Sequence, residues 1–399
     1  MAPRPSLAEI FLVALRLGCT SFGGPVAHLA YFRHEYVEKR RWLDEAHYAD
    51  LVALCQFLPG PASSQTGFGV GYLQRGIAGG LAAWLGFTLP SALLMTGFAY
   101  GVAAMGDLAS AGWLQGLKAA AVAVVAQAVW AMSRALCPDV PRAALAGVGA
   151  GLLLMLPFAW LQVAIIGAGA AFGWLVLRDA AAFDGHARNA GPKPATGAPF
   201  SGYACLAAFF LLLFLLPAWA RFTASPSIEV LDRFYRAGAL VFGGGHVVLP
   251  LLEQEVVAHG WVNHDQFLAG YGAAQAVPGP LFTLSTYLGA VMKQGAGGWL
   301  GGLWSTAAIF LPALLLIAGA LPFWQALRDH PAAQAAMRGA NAAVVGVLLA
   351  ALIHPVGTAG ITDARSAGMA VVAFMLLQFA RLPAWAVVGA AAAAGSALA

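Results

Sequence analysis

Apolar residues gather into runs at about 7–30, 46–73, 79–104, 112–133, 142–157, 160–178, 200–220, 229–252, 265–290, 297–321, 334–353, 366–379 and 383–398. Several runs reach the ~20 residues a helix needs to cross the hydrocarbon of a bilayer. The pattern predicts an all-α polytopic membrane protein. One stretch breaks it: 179–199, polar and rich in Gly and Pro, reads as a linker between two halves. The expected organisation is an N-terminal transmembrane repeat (1–178), the linker, a connecting helix (200–220) and a C-terminal repeat (221–399).

The halves are copies. Phe22-Gly23-Gly24-Pro25 recurs 220 positions later as Phe242-Gly243-Gly244-Gly245, and Arg16, Gly18 and Glu35 recur at that displacement as Arg236, Gly238 and Glu255. After a shift of one residue, Trp42 matches Trp261, Gln56 matches Gln275, and Pro59-Gly60-Pro61 matches Pro278-Gly279-Pro280. Further on, Gly79-Gly80 matches Gly297-Gly298 and Leu89-Pro90 matches Leu311-Pro312. Ordered matches of this kind identify an internal duplication, the usual origin of transporter repeats.

Seven apolar runs separate equivalent points, and an odd number turns the second copy over. Charge agrees. Arg33, Lys39, Arg40 and Arg41 crowd one loop, whereas the equivalent stretch 253–265 has no Lys or Arg. Cytoplasmic loops carry the basic excess, so the first lies inside and the second outside. The expectation is two inverted-topology repeats with broken or re-entrant helices near the start of each half.

The breaks lie inside apolar runs. Adjacent glycines weaken a helix and bare its backbone N–H groups. Pro-Gly-Pro forces a turn, because proline has no N–H and disfavours helix before it. Such breaks occur at membrane depth only where protein or a wet cavity satisfies them, and a helix that begins there aims its positive end at the cavity. Gly23, Gly24, Gly60, Gly243, Gly244 and Gly279 are therefore candidate binding positions, with Pro25, Pro59, Pro61, Pro278 and Pro280 as structural breaks. Ser63, Ser64 and Thr66 follow the first PGP, and Thr283, Ser285 and Thr286 the second; they either bind oxyanion oxygens or bond back to their own helices. Gln56 and Gln275 precede the breaks at equal distance.

Arg16 and Arg236 are taken as the only basic residues well inside the runs, and an intramembrane charge is a functional candidate by default. No carboxylate is placed mid-run, so a site of Gly, Ser, Thr, Gln and Arg suits an anion. Glu35 and Glu255, just beyond the breaks, are candidates for coupling or gating, against a plainer role as loop carboxylates paired with nearby bases. His28 and His246 do not align and read as wall residues. Cys19, Cys55, Cys137 and Cys205 have no metal or disulfide spacing and read as buried small hydrophobes.

Composition closes off other classes. With 60% hydrophobic and 10% charged residues, against roughly 25% charged in soluble domains, a soluble enzyme or nucleic-acid binder is excluded. No metal cluster, cofactor motif or nucleophile–base pair appears.

At FGGP…PGP…FGGG…PGP the chain resembles the chromate ion transporter family, in its long, two-domain form. The resemblance implies a bacterial inner-membrane protein that exports chromate, driven by membrane potential or ion coupling. The alternatives are a channel-like anion pore and a carrier of sulfate or another oxyanion. Its partners would be the oxyanion and the lipid bilayer, with no nucleic acid; a homodimer is left open. Gly245 stands where the first copy has Pro25, a departure from strict equivalence.

Overall fold

A computed structural model describes residues 5–104, 112–156, 161–177, 199–242, 247–324 and 330–398. The linker at 179–199 (Pro199 apart), Gly243, Gly244 and His246 lie outside the described residues. Every regular element among the described residues is helical.

The first half begins with α1 (Leu7–Thr20) and α2 (Gly24–Phe32), the latter continued by a π-helical stretch, Arg33–Lys39. Then come α3 (Glu45–Phe57), α4 (Ala62–Ala104), α5 (Gly112–Leu136), α6 (Val140–Met155) and α7 (Leu161–Val176). A separate helix, α8 (Pro199–Thr223), leads to the second half. That half has α9 (Pro226–Ala239), α10 (Val248–Val256), α11 (His264–Ala276), a 3-10 turn (Leu281–Thr283) with α12 (Leu284–Val291), and α13 (Gly298–Ala320). It ends with α14 (Pro331–Ala351), continued by the π-helical stretch Leu352–Gly357, then α15 (Ala364–Gln378) and α16 (Ala384–Leu398). The duplication is legible in these bounds: α1 and α9 both have 14 residues. Helices α3 and α11 both have 13, each follows an N-cap side chain (Asp44, Asn263), and each ends just before a PGP.

Among the described residues, five helices are long and apolar enough to cross a membrane: Ala62–Ala104, Gly112–Leu136, Ser201–Thr223, Gly298–Phe323 and Pro331–Gly360. The first is not one rod. Arg75 and Gly76 leave helical geometry (Gly76 φ 62°), and Gly71 packs on the carbonyl of Gly79. Eight residues along a straight helix would separate them by about 12 Å, so α4 folds back on itself. Gly289 and Gly301 make the same contact in the second half. Structurally, then, Gly79 corresponds to Gly301. The Gly297-Gly298 doublet, matched to Gly79-Gly80 by sequence, forms the turn instead, with φ of 61° and 52°.

The chain divides into two compact units that cut across the halves. One comprises 1–104, 189–245 and 277–325; the other comprises 105–188, 246–276 and 326–399.

In the first unit, α1–α2 and α3–α4 are hairpins whose open ends are tied together by polar groups. Arg40 Nη1 lies 2.8 Å from Glu9 Oε1 and Arg33 Nε 2.8 Å from Glu45 Oε1. Gln74 Nε2 donates to the Trp42 carbonyl and Arg75 Nε to that of Pro5, both at 2.9 Å. The other ends of the hairpins are the FGGP and PGP breaks. Leu51 of α3 packs on Gly69 of α4, closing the second hairpin. Its 13-residue arm α3 rises only about 20 Å, short of the ~30 Å hydrocarbon core.

The second unit is held by small-residue packing, the close approach that favours helix association in lipid. Gly116 of α5 meets the Ala391 carbonyl of α16, Gly173 of α7 meets the Ala335 carbonyl of α14, and Gly346 of α14 meets the Ala146 carbonyl of α6. Cysteine burial differs from expectation: only Cys55 is buried, Cys137 and Cys205 are half-buried and Cys19 is exposed.

Candidate functional site

The breaks of the two halves meet in the first unit. Helix α1 stops at Thr20, the chain is extended at Ser21, and Gly23 and Gly24 take φ of +98° and +77° before Pro25 enters the first turn of α2. The central glycines of the PGP turns match, with φ of +125° at Gly60 and +99° at Gly279. Both donate their N–H across the repeat, Gly60 to the Val241 carbonyl at 2.7 Å and Gly279 to the Ser21 carbonyl at 3.0 Å. Ser21 and Val241 are equivalent positions, so each PGP turn is bonded to the residue just past the end of the other half's first helix.

The fit is tight at these glycines. A Cβ at Gly60 would lie 2.8 Å from Ala313 Cβ, and one at Gly279 2.9 Å from Ser91 Oγ. Ser91 and Ala313 are again equivalent, so α4 and α13 back the two turns in the same way. Gly24 differs, with open space where its Cβ would be. His28 is buried and meets the Phe87 ring edge-on at 5.4 Å, which makes it a wall residue as expected.

The hydroxyls after the breaks are buried, and most have partners. Thr66 donates to the Ala62 carbonyl (2.8 Å), Thr283 to Pro280 (2.8 Å) and Ser285 to Phe282 (2.7 Å). Thr286 Oγ1 bonds Thr306 Oγ1 at 2.6 Å. Back-bonding therefore takes up the Thr66, Thr283 and Ser285 hydroxyls, and Thr306 takes up that of Thr286. Ser63 is buried beside them, whereas Ser64 Oγ and Ser21 Oγ are buried with no partner among the described residues. Gln65, beside them in the first turns of α4, donates from Nε2 to the Pro59 carbonyl at 2.9 Å and so braces the first PGP turn.

The two arginines are not alike. Arg236 donates to Asp232 through Nε (3.0 Å) and Nη2 (2.9 Å), and the Asp232 side chain is only 6% exposed. Position 12 of the first half holds Leu12 in place of that carboxylate. Arg16 is exposed on α1, one turn before the break, and makes no ion pair among the described residues. Asp232 stands near the start of the run 229–252, so no carboxylate is mid-run by sequence position, yet this one is buried and holds the arginine.

Gln56 is exposed in the first unit, whereas Gln275 is half-buried in the second. Glu35 is buried and pairs with Arg40 Nε at 2.8 Å and Lys39 Nζ at 3.3 Å, not with Arg16. Burial pushes its carboxyl up, but the hydrogen bonds and charges of Arg40 and Lys39 outweigh that and leave it below the usual carboxylate range. Glu255 is half-buried in the second unit; the buried carboxylate of that helix is Glu253.

The second unit also holds a buried cation that sequence reasoning missed. Lys118, in α5, has a side chain 5% exposed and reaches Asp265 Oδ1 at 2.8 Å. Arg16 and Arg236 are therefore not the only basic residues inside the runs. A lone lysine in an apolar run carries no periodic signal, and its partner lies 147 positions away. No group of three or more His, Cys, Asp or Glu suited to a metal occurs among the described residues.

A family model described as "Chromate transporter" matches the chain twice, over residues 8–174 and 228–396. The two matches coincide with the two halves of the duplication. The chromate transport protein of Cupriavidus metallidurans is 28% identical over 391 residues, covering 96% of this chain and 90% of the relative. That of Pseudomonas aeruginosa is 28% identical over 381 residues, covering 88% and 81%. An uncharacterized transporter of Methanocaldococcus jannaschii is 26% identical over 358 residues, covering 88% and 84%. No solved structure matches.

Proposed function

Because the chain belongs to the chromate transporter family, whose members are multi-pass membrane transporters and not enzymes, we propose that it exports chromate across the bacterial inner membrane. The observation that carries the reading is the pair of cross-repeat hydrogen bonds, Gly60 to Val241 and Gly279 to Ser21. It gathers interrupted helices from both halves around one place, the arrangement that serves midplane sites in secondary transporters. Arg16 is the cation for the oxyanion, since guanidinium fits planar bidentate recognition and no carboxylate among the described residues pairs with it. Ser64 and the open backbone at Gly24 supply donors. Arg236, held by Asp232, supports the second-half hairpin.

The order of contacts along the second arm of α4 supports inverted repeats (1–178 and 221–399, with 200–220 connecting). The arm leaves the open ends of the first-half hairpins near Arg75, and Ser91 passes the breaks. Tyr100 then accepts the Trp299 N–H at 3.1 Å, near the turn whose Gln294 bonds Glu229 at the start of α9. The open ends of the two halves thus fall at opposite ends of one helix arm.

Energetics favour export without ATP. One charge crossing 100 mV is worth ~2.3 kcal/mol, so a dianion leaving a negative interior gains ~4.6 kcal/mol, roughly a 2000-fold gradient. The test is chromate uptake into everted membrane vesicles, with sulfate, molybdate and phosphate as competitors. Potential-dependent uptake that chromate counterflow stimulates is expected of a carrier. Flux without trans-stimulation would make the protein a pore, and preferential competition by sulfate would make chromate a surrogate.

A further inference from the structure

The second unit contains a largely apolar cavity of about 930 Å³, with a few polar and titratable side chains in its wall, that the transport site does not use. It is lined by Gln162, Glu253, His259, Asn263, His264 and His354 among others, and no Lys or Arg is among the described residues that line it. Glu253, on α10, has a side chain 7% exposed, and its carboxylate Oε1 lies 3.1 Å from His264 Nδ1 at the start of α11. A buried carboxylate is costly unless it is paired, and here the facing cation is titratable.

The duplication makes this pair informative. Glu253 stands 220 positions after Arg33 and His264 stands 219 after Glu45, the two displacements that relate the halves. Arg33 and Glu45 are themselves an ion pair at 2.8 Å, with side chains 47% and 60% exposed. The same place thus holds a permanent, solvated Arg–Glu pair in one half and a buried, protonation-dependent Glu–His pair in the other. The second pair joins α10 to α11, and these helices run along the chain from the FGG break to the PGP break of that half.

We propose that Glu253 and His264 form a proton-binding site linked to transport, at which one proton is taken up for each oxyanion exported. The inference rests on the reading of the chain as an oxyanion transporter. Protonation places an imidazolium against the carboxylate; proton loss leaves the buried carboxylate without a cation. The Glu253 carboxylate, 3.1 Å from Nδ1, raises the His264 pKa above its usual value near 6.5, against the lowering effect of burial. The other charged and titratable groups nearby are Asp265 on α11, held by Lys118 of α5, Glu255 on α10, His259 in the intervening turn, and His354 after α14. No ionisable side chain from α6 or α7 is among the described lining residues.

The experiment uses the full-length chain in proteoliposomes with a pH-reporting dye inside, under a potassium diffusion potential, reading chromate and proton flux together. Wild type is expected to move protons opposite to chromate in near-equal number. Glu253→Gln should keep chromate flux and lose proton flux at least tenfold. Glu253→Arg/His264→Glu installs the first half's permanent pair, so it preserves the ion pair while removing protonation. It should also carry chromate without protons. Proton flux equal to wild type in either variant, or chromate flux without protons in wild type, overturns the proposal. A wild type that moves neither chromate, sulfate nor molybdate removes the transport reading itself, and the coupling with it.

Discussion

Arg236 is clasped by Asp232 from one helical turn back, with both carboxylate oxygens accepting from the guanidinium at 2.9–3.0 Å. In the first half Leu12 takes the place of that carboxylate, and Arg16 is exposed with no ion pair among the described residues. Duplication gave both halves the arginine; only one half retains it as an available charge.

The two arginines should therefore respond differently to mutation. Arg16→Gln is expected to reduce chromate flux at least tenfold with membrane abundance near wild type. Arg236→Gln should act mainly on stability, because it strips Asp232 of its partner, a charged hydrogen-bonded pair worth about 2 kcal/mol. Vesicle flux normalised to protein amount separates the outcomes. Equal loss per molecule in both variants would mean that Asp232 does not neutralise its arginine in the working protein.

The PGP turns carry the second prediction. Gly60→Ala and Gly279→Ala each put a Cβ on a residue at positive φ and within 3 Å of a neighbour. Strain of this kind costs about 1–3 kcal/mol, and the cross-repeat hydrogen bond must lengthen to relieve it. Both variants should lose transport more than abundance. Gly24→Ala, with open space at its Cβ, should be tolerated better, although its φ of +77° still disfavours a side chain. Flux in the order wild type, Gly24→Ala, Gly60→Ala tests the ranking.

Two ion pairs set opposite limbs of the pH dependence of stability. The Glu35 carboxyl, held below its usual value, contributes stability present above about pH 4.5 and lost as pH falls through the folded pKa. His264, raised by Glu253, contributes stability present below about pH 6.5 and lost as pH rises through its folded value. Melting of the detergent-solubilised protein should flatten at the acid limb in Glu35→Gln and at the neutral limb in Glu253→Gln. If each variant altered the other limb, the assignments would be reversed.

What the sequence disclosed and what it concealed divide along physical lines. The interrupted runs were legible because glycine and proline leave a local signature, and the three at Gly23-Gly24, Pro59-Gly60-Pro61 and Pro278-Gly279-Pro280 are broken in the structure where the signature stands, Gly243 and Gly244 lying outside the described residues. The repeat was legible for the same reason. The fold-back of α4 at Arg75–Gly76 was not, since one glycine in an apolar stretch resembles many others. Nor was the division into two units, each built from segments of both halves, because hydropathy records which face is apolar and not which helix covers it. Partners such as Asp232 for Arg236, or Asp265 for Lys118, depend on side-chain reach and tertiary contact.

Lys118 and Asp265 yield an asymmetric prediction. The lysine is buried and the carboxylate half-exposed, with side chains 5% and 37% exposed. Removing the carboxylate strands an ammonium in an apolar helix, a change that costs about 3–5 kcal/mol for a fully buried pair and somewhat less here, because solvent reaches the site from the Asp265 side. Removing the lysine leaves a carboxylate that water can reach, at a cost of roughly 1 kcal/mol or less. Asp265→Asn should therefore destabilise the protein strongly, Lys118→Met should be nearly neutral, and the double variant should recover most of the loss. Thermal melting of the three variants measures the coupling directly. A Lys118→Met variant as unstable as Asp265→Asn would show that the cation does more than balance one carboxylate, and would direct attention to the neighbouring Glu253–His264 pair.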